Sequence, residues 1–265
     1  MRDMEGDEIK GITNEKIFIV MPVGNEEETI ADTLTRILKL GIEELFVTPV
    51  IDDYSQDNTR KIIEDFEKQY PKKIKLLYNK NATGAIPAYF YGFKYALKNG
   101  AKYIIEMDAG NSHMPEQIPS FLEKLEEGYD CVFGSRFIEG GKFINHPYYR
   151  VFLSWLGTKV ANFYLGTKLK DMTSGFEAFR AEVLEQLNFD AFVSTGHFYQ
   201  TEMRYYCKEF NATEVPIHYR GSKSRFSFNS LVNAVKELLK VKRNYYANIL
   251  PNLNKAKGKQ KEVLK

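Results

Sequence analysis

Short apolar runs alternate with amphipathic segments from residue 17 to residue 108, and few folds are compatible with that alternation. Apolar runs rich in β-branched residues predict strands at 17–23, 46–53, 73–78 and 103–107. Apolar residues at helical spacing predict helices at 27–40, 59–70 and 85–98. Strands and helices in this order predict an α/β fold with a Rossmann-like, mostly parallel central sheet and helices on both faces.

Polar residues cluster where three of these predicted strands end. Asn25 and Glu26 follow the first strand, Asp52 and Asp53 the second, and Asp108 the fourth. In parallel sheets, ligands bind outside the carboxyl ends of the strands. Carboxylates gathered at that edge repel one another unless a cation, a sugar or hydrogen-bond donors lie between them. Helix N-capping is the alternative for any single cluster, but three clusters at strand ends favour a binding site.

The C-terminal end of the chain is basic. Residues 217–265 contain 12 Lys and Arg against two Glu, although the whole chain has a net charge of only +2. Apolar residues recur at helical spacing from Phe228 to Arg243, so we predict an amphipathic basic helix at 227–250. Two interpretations stay open. The helix packs its apolar face on the core, or it lies at a membrane surface, where each Lys or Arg near anionic lipid contributes ~1 kcal/mol.

Several function classes are excluded by the sequence. A net charge of +2 argues against a general nucleic-acid binder. The chain has no G-x-G-x-x-G after a strand, no G-x-x-x-x-G-K-[ST], no G-x-S-x-G and no H-E-x-x-H. Hydride transfer, P-loop hydrolysis and serine hydrolysis are therefore not expected. The four histidines are scattered, and none is expected to be a zinc ligand.

The location and organisation of the chain follow from similar observations. The N-terminus is acidic without the apolar stretch of a signal peptide, and no stretch reaches the ~18 apolar residues of a membrane span. Cys131 and Cys207 stand far apart in the sequence and predict buried, reduced thiols. We therefore predict a cytoplasmic protein. Its predicted parts are a flexible segment at 1–15, one α/β domain at 16–226, the basic helix at 227–250 and a Lys-rich tail at 251–265.

Eight short motifs occur in a fixed order along the chain. They are P-V-G-N-E at 22–26, D-D-Y-S-Q-D-N-T at 52–59, G-A-I-P-A-Y-F-Y-G at 84–92, M-D-A-G-N-S-H-M-P-E at 107–116, G-S-R-F at 134–137, D-M-T-S-G-F-E-A-F-R at 171–180, Q-T-E at 200–202 and E-V-P-I at 214–217. Together they resemble the successive motifs of family 2 glycosyltransferases of the GT-A fold. The resemblance is closest to the dolichol-phosphate mannosyltransferase, or polyprenyl-phosphate glycosyltransferase, branch.

This resemblance implies a donor site at the ends of the first, second and fourth strands. The residues implied in nucleotide-sugar binding are Pro22, Asn25, Glu26, Asp52, Asp53 and Asp108. Related enzymes hold Mg²⁺ or Mn²⁺ with a D-x-D motif, but Gly110 replaces its second carboxylate here. The implied metal ligands are Asp108, Asn111 and Ser112, with phosphates and water completing the shell. Gly24 stands where relatives often carry an aromatic residue that stacks on the base.

The acceptor site is implied in the second half of the chain. The implied acceptor phosphate-binding residues are Arg136, Arg150, Ser154, Asp171 and Ser174. A guanidinium group matches phosphate oxygens with two parallel hydrogen bonds. For each Arg the alternative is a surface position or an internal ion pair. For Asp171 and Ser174 the alternative is turn chemistry around Gly175.

Catalysis is implied for Asp108, Arg136 and Glu202. Glu202 stands where soluble members of the superfamily place a catalytic base, which a sugar hydroxyl acceptor needs. A phosphate acceptor is already an anion and needs no base, so Glu202 would then position other groups. Direct in-line attack at the anomeric carbon inverts its configuration.

The predicted function is an inverting glycosyltransferase on the cytoplasmic face of a membrane. It would move mannose or glucose from GDP-mannose or UDP-glucose to a dolichyl or undecaprenyl phosphate, with the basic helix on the membrane and with room for a membrane-anchoring subunit. Two alternatives stay open. One is a family 2 enzyme with a sugar hydroxyl acceptor, and the other is a non-catalytic nucleotide-sugar-binding protein, which Gly110 suggests.

Overall fold

A seven-stranded sheet organises the chain. We describe it from a computed structural model that covers residues 13–80, 84–196, 198–221 and 228–245; in the last range, side chains are described from residue 233 onward. Its strands are β1 (Ile17–Val23), β2 (Leu45–Ile51), β3 (Leu77–Tyr78), β4 (Tyr103–Glu106), β5 (Cys131–Ser135), β7 (Glu177–Arg180) and β8 (Ala212–Pro216). They lie in the order β3-β2-β1-β4-β7-β5-β8, and β7 runs antiparallel to both of its neighbours. Two further strands, β6 (Lys142–Ile144) and β9 (His218–Arg220), form a separate parallel pair.

Helices cover both faces of this sheet. They are α1 (Ile30–Leu38), α2 (Thr59–Gln69), α3 (Ala85–Lys98), α4 (Ile118–Glu126), α5 (Tyr148–Leu165), α6 (Ala181–Gln186), α7 (Tyr199–Tyr206) and α8 (Phe228–Asn244). Successive side chains of a strand point to opposite faces. Ile17, Ile19 and Met21 of β1 accordingly join an apolar cluster on one face, while Phe18 and Val20 join a second cluster on the other. The predicted mostly parallel α/β sheet with two covered faces is confirmed.

Some predicted boundaries differ from the observed ones. The first helix begins at Ile30 rather than at residue 27, because the Glu26 carbonyl accepts from the amides of Thr29 and Ile30 and closes a turn first. The third strand is reduced to Leu77–Tyr78, with an isolated bridge at Ile74. The helix α5 was not predicted from the sequence, since apolar residues occur around most of its circumference and leave no single stripe.

The C-terminal helix α8 packs on the core along its described part. Leu238, Val241 and Tyr245 are buried in the cluster that also contains Tyr205 and Tyr206 of α7. Val235 and Leu239, which the sequence placed on the same apolar stripe, are exposed. Core packing therefore accounts for Leu238 and Val241, whereas Val235 and Leu239 have no place in the core.

Two further observations bear on the expected location. Cys131 and Cys207 are buried and form no disulfide, and burial together with the neighbouring Cys207 thiol raises the pKa of Cys131. Within the described ranges, we find no helix that has both the length and the apolar character needed to cross a bilayer.

Candidate active site

The carboxyl ends of β1, β2 and β4 meet at one edge of the sheet. β1 lies between the other two and is parallel to both. Pro22 lies near the end of β1, and the loops that follow the three strands carry the other residues predicted for the donor: Asn25, Glu26, Asp52, Asp53 and Asp108. The topology thus brings together residues up to 86 positions apart (Pro22 to Asp108).

Asn25 fastens the loop after β1 to the loop after β2. Its backbone is in the left-handed region, with φ of 54°. The side-chain oxygen accepts from the amide of Gln56 at 2.9 Å, and the side-chain nitrogen donates to the carbonyl of Tyr54 at 3.3 Å. The Asn25 amide donates to the hydroxyl of Ser55 at 3.3 Å. The two loops therefore form one unit.

The two aspartates after β2 are differently engaged. Asp52 is buried, and its oxygens accept from the amides of Tyr54 at 2.9 Å and Gly84 at 2.7 Å. It thereby ties the β2 loop to the start of α3. Asp53 is exposed and accepts from the hydroxyl of Tyr78, which raises the pKa of that tyrosine.

Tyr54 fills the space that a side chain at Gly24 would take. A Cβ atom at Gly24 would lie 3.1 Å from Cδ1 of Tyr54. The tyrosine ring is 68% exposed at this edge. An aromatic face is therefore present beside position 24, although it comes from the β2 loop and was not identified from the sequence.

Asp108 presents its carboxylate at the same edge. Its side chain is 43% exposed, with Oδ2 accepting from the hydroxyl of Ser112 at 2.8 Å and Oδ1 facing the hydroxyl of Tyr89 at 3.5 Å. The Asp108 amide donates to Nδ1 of His113 at 3.1 Å, so the proton of the neutral ring is on Nε2. Burial lowers the pKa of His113, which favours that neutral form.

Asn111 points toward α1. Its backbone is left-handed, with φ of 60°. Its side-chain oxygen accepts from Thr33 at 3.1 Å and from Arg36 at 2.9 Å, and its nitrogen donates to Asp32 at 2.9 Å. Of the two neutral oxygens predicted as metal ligands beside Asp108, Ser112 adjoins the carboxylate and Asn111 belongs to a different network.

A second carboxylate lies beside Gly110. An ideal Cβ at Gly110 would be 2.9 Å from Oε1 and 3.0 Å from Oε2 of Glu26. Among the described residues, no group of three or more His, Cys, Asp or Glu side chains is arranged to hold a metal. Mg²⁺ is commonly held by one or two carboxylates with substrate phosphates and water. The residues at this edge fit a cation that arrives together with phosphate groups.

Arg136 forms a buried ion pair with Asp171. Its Nε and Nη2 donate to the two carboxylate oxygens at 2.7 and 2.8 Å, and Nη2 also donates to Thr173 at 2.5 Å. Burial acts to raise the pKa of Asp171, but the attraction of Arg136 outweighs it and holds that pKa well below its usual range. The internal ion pair that stood as the alternative for Arg136 is therefore present.

Arg204 donates hydrogen bonds to the backbone of the loop around Ser174. This residue was not identified from the sequence. It is buried, donating from Nε to Glu177 at 2.7 Å and from its terminal nitrogens to the carbonyls of Asp171, Gly134 and Ser174. A sequence signal existed, because a charged residue at a core position of α7 must find partners inside the protein.

Glu202 is buried and binds the backbone before α7. Its carboxylate accepts from the amides of Val193 and Ser194 at 2.9 and 2.8 Å, and from the hydroxyl of Tyr206 at 2.7 Å. Burial raises its pKa despite these donors. Its oxygens are thus occupied in holding a turn.

Two glutamates face each other in the middle of the sheet. Glu106 of β4 and Glu177 of β7 are register partners, and both are fully buried. Glu106 accepts from Tyr199 at 3.0 Å and from Gln200 at 2.7 Å, while Oε2 of Glu177 has no hydrogen-bond partner in the described structure. Burial, with the Glu177 charge adding to it, raises the pKa of Glu106 well above its ordinary value.

Aromatic contacts connect the sheet edge around Asp108 to the region around Arg136. The His113 ring stacks on Phe176 with centroids 4.9 Å apart and contacts Tyr219 at 5.6 Å. The Arg136 guanidinium lies 5.2 Å from the centroid of Tyr219. The His113 and Tyr219 rings therefore connect Asp108 to Arg136 in series.

The helix α5 carries Arg150 and Ser154, both half-buried. On its inner side, the hydroxyl of Thr158 accepts from the amide of Met172 at 3.1 Å, so the helix supports the 171–174 loop. Its outer side exposes a row of large apolar residues: Tyr148, Tyr149, Phe152, Trp155, Leu156, Val160 and Phe163.

Comparison with known proteins identifies similar sequences. The Glycosyl transferase family 2 model matches residues 18–187. The chain is 35% identical over 204 residues to undecaprenyl-phosphate mannosyltransferase from Micrococcus luteus, covering 76% of this chain and 82% of that protein. It is 29% identical over 229 residues to polyprenol monophosphomannose synthase from Mycolicibacterium smegmatis, covering 86% of each.

A solved structure shares the architecture. Glucosyl-3-phosphoglycerate synthase from Mycobacterium tuberculosis, in complex with Mn²⁺, UDP-glucose and glycerol 3-phosphate, matches with a TM-score of 0.61 and 15% identity, over 86% of this chain and 79% of that chain. At this identity the likeness concerns the fold. The GT-A fold expected from the sequence is confirmed.

Proposed function

Because the chain belongs to glycosyl transferase family 2, we propose that it is an inverting hexosyltransferase acting on a polyprenyl phosphate. The donor is a nucleotide diphosphate sugar, GDP-mannose or UDP-glucose. The names of the two sequence relatives, a mannosyltransferase and a phosphomannose synthase, favour mannose.

The placement of Glu202 carries the choice of a phosphate acceptor. A hydroxyl acceptor needs a base within hydrogen-bond reach of its proton. Glu202 is fully buried, and its oxygens are occupied by two backbone amides and the Tyr206 hydroxyl. A phosphate acceptor attacks as an anion and needs no such base, so Glu202 serves as a positioning residue.

The donor edge supports binding of the nucleotide. Tyr54 offers an exposed ring beside Gly24 for stacking on the base. Asp53, exposed next to it, suits hydroxyl donors of a ribose. Asp108 would hold a Mg²⁺ or Mn²⁺ ion together with the diphosphate, and such an ion would stabilise the negative charge that develops on the leaving group.

Arg136 and Asp171 order the acceptor side. The ion pair fixes the 171–174 loop, and Thr158 of α5 holds the same loop from the other side. Arg150 and Ser154, half-buried on α5, remain the residues proposed to meet the acceptor phosphate.

The outer side of α5 is proposed as the membrane-facing surface. The 18 residues of α5 include Arg150 and Lys159 and no Asp or Glu. The resulting positive charge suits anionic lipid. Tyr and Trp prefer the interface between water and lipid. Because the inner side of the same helix supports the acceptor loop, docking through α5 presents that loop to a lipid whose chain stays in the bilayer. A cytoplasmic-face location and a membrane-anchoring subunit remain part of this proposal.

Transfer of radiolabel from GDP-mannose or UDP-glucose to polyprenyl phosphate tests the function. We expect label in a lipid that mild acid cleaves, with strong loss in Asp108→Asn and unchanged transfer in Glu28→Gln, a nearby exposed carboxylate. Label entering only a sugar hydroxyl acceptor would support the first alternative. Nucleotide binding without any transfer would support the non-catalytic one.

A further inference from the structure

This chain has Gly110 where the D-x-D motif has its second carboxylate, and the Glu26 carboxylate lies next to that position. Both oxygens of Glu26 lie within 3.0 Å of the point where a Cβ at Gly110 would be. They are only slightly farther from that point than the oxygens of an aspartate at position 110 would be. Gly110 is not in the left-handed region, so the backbone there has the conformation of an ordinary residue.

The loop that carries Glu26 is held by several hydrogen bonds, one of which reaches the carboxylate itself. The hydroxyl of Thr29 donates to Oε2 at 2.8 Å, and the Glu26 amide donates to the hydroxyl of Thr59 at 2.7 Å. The neighbouring Asn25 binds the β2 loop through three hydrogen bonds. The carboxylate is therefore carried by a fixed loop that approaches Gly110 because glycine leaves room for it.

A second observation points to a ligand at this edge. Nε2 of His113 is buried, with the residue 1% exposed, and has no hydrogen-bond partner among the described residues. It carries the ring proton and lies 3.7 Å from Oδ2 of Asp108. A buried donor without a partner is unfavourable. A ligand would give Nε2 a partner if it moved the Asp108 carboxylate into hydrogen-bond distance, or if it placed an anionic oxygen of its own there.

We propose that Glu26 supplies the second carboxylate for the divalent cation, in place of the residue missing at Gly110. Asp108 and Glu26 then provide one carboxylate each, and the nucleotide phosphates and water complete the shell. This inference rests on the proposed function, because the cation belongs to the donor nucleotide.

The test compares Mn²⁺ binding to the full chain in Glu26→Gln and in Glu28→Gln, which removes the same charge two residues away. Free Mn²⁺ is measured by electron paramagnetic resonance with the protein alone, with GDP and with UDP, and nucleotide affinity is measured by calorimetry with and without Mn²⁺. We expect Glu26→Gln to weaken Mn²⁺ binding roughly 10- to 100-fold, the range seen when a carboxylate supporting a metal site is lost. Glu28→Gln should bind as the unmodified protein does.

A carboxylate exchange separates metal binding from a purely structural role of Glu26. The double variant Glu26→Ala with Gly110→Asp removes the carboxylate from the loop and restores it at position 110, so we expect Mn²⁺ binding to return toward the original affinity. The inference is overturned if the unmodified chain binds no Mn²⁺, if both Gln variants behave alike, or if the exchange restores nothing. If Mn²⁺ binds through Glu26 while neither nucleotide binds, the proposed function fails and the metal assignment stands.

Discussion

Replacing the apolar side chains on the outer side of α5 should release the protein from membranes without unfolding it. The variant we consider changes Phe152, Trp155 and Phe163 to Ser. These side chains are 57%, 44% and 92% exposed. Because much of each side chain already contacts water, the chain should stay folded; losing the buried parts of Phe152 and Trp155 should lower the free energy of unfolding by about 1 kcal/mol each.

The expected loss of membrane affinity follows from the exposed fractions. Fully burying one large apolar side chain contributes about 1.5–3 kcal/mol. Scaled by exposure, Phe163 contributes about 2 kcal/mol and Phe152 and Trp155 about 1 kcal/mol each. The total of about 4 kcal/mol corresponds to roughly a 1,000-fold lower partition coefficient. The side chains insert only partly, so the 1,000-fold figure is an upper value. We expect the partition coefficient to fall by at least about tenfold.

Co-sedimentation with vesicles of phosphatidylcholine and phosphatidylglycerol measures this affinity. The control variant changes Val235 and Leu239 of α8 to Ser, since they are 51% and 55% exposed on the helix that the sequence placed at the membrane. Binding unchanged in the α5 variant but lost in the α8 variant would refute the assignment to α5 and return the membrane contact to the C-terminal helix. Binding should also weaken with salt, because Arg150 and Lys159 flank the row.

Three further predictions concern the interior and the donor edge. Asp171→Asn leaves Arg136 buried without its carboxylate, so the free energy of unfolding, measured in urea, should fall by about 3–5 kcal/mol; an unchanged value would show that the pair is not buried. Burial and Glu177 raise the pKa of Glu106 well above the ordinary 4.5, so the folded chain retains a proton that the unfolded chain releases; the contribution of this group to stability is fully present below about pH 4.5 and is lost as pH rises through the folded pKa. Glu106→Gln should flatten that fall in calorimetric melts, and an equally steep fall in this variant would contradict the assignment. Tyr54→Ala should weaken binding of GDP or UDP about tenfold, in keeping with about 1–3 kcal/mol for stacking on a base, whereas Tyr54→Phe should retain it.

The sheet and the polar residues at its edge were predictable because they depend on local patterns. The β-branched runs fixed which segments form strands, and the parallel order brought the residues after β1, β2 and β4 to one edge. Asp108 was identified by its position after a strand and by the motif around it. These features depend on residues close together in the sequence, so spacing is enough to reveal them.

The partners of individual side chains were not predictable in this way. Tyr54 lies at Gly24, and Glu26 lies at Gly110, because loops from different strands pack against each other. For Arg136 the sequence left a phosphate contact and an internal ion pair open, and only the folded chain shows its partner to be Asp171, 35 residues later. A motif gives the type of residue at a position, whereas contacts of this kind depend on the packed loops.

The same limit applies to the helices. The sequence left core packing and membrane contact both open for α8, and the structure shows that Leu238 and Val241 pack on the core. The helix α5 lacks a clear apolar stripe, and only its packing reveals which side stays exposed. Amphipathic spacing indicates that a helix has an apolar side, but the location of its partner is set by the tertiary fold.

Asn25 also has a thermodynamic consequence. By joining the two loops, it places Tyr54, proposed to contact the base, and Glu26, proposed to contact the cation, on one unit. Any shift of this unit that favours one ligand changes the affinity for the other, and such linkage is reciprocal. We expect the protein to bind Mn²⁺ less tightly when the bound nucleotide has an ill-fitting base. The enzyme would then distinguish bases partly through its affinity for the metal.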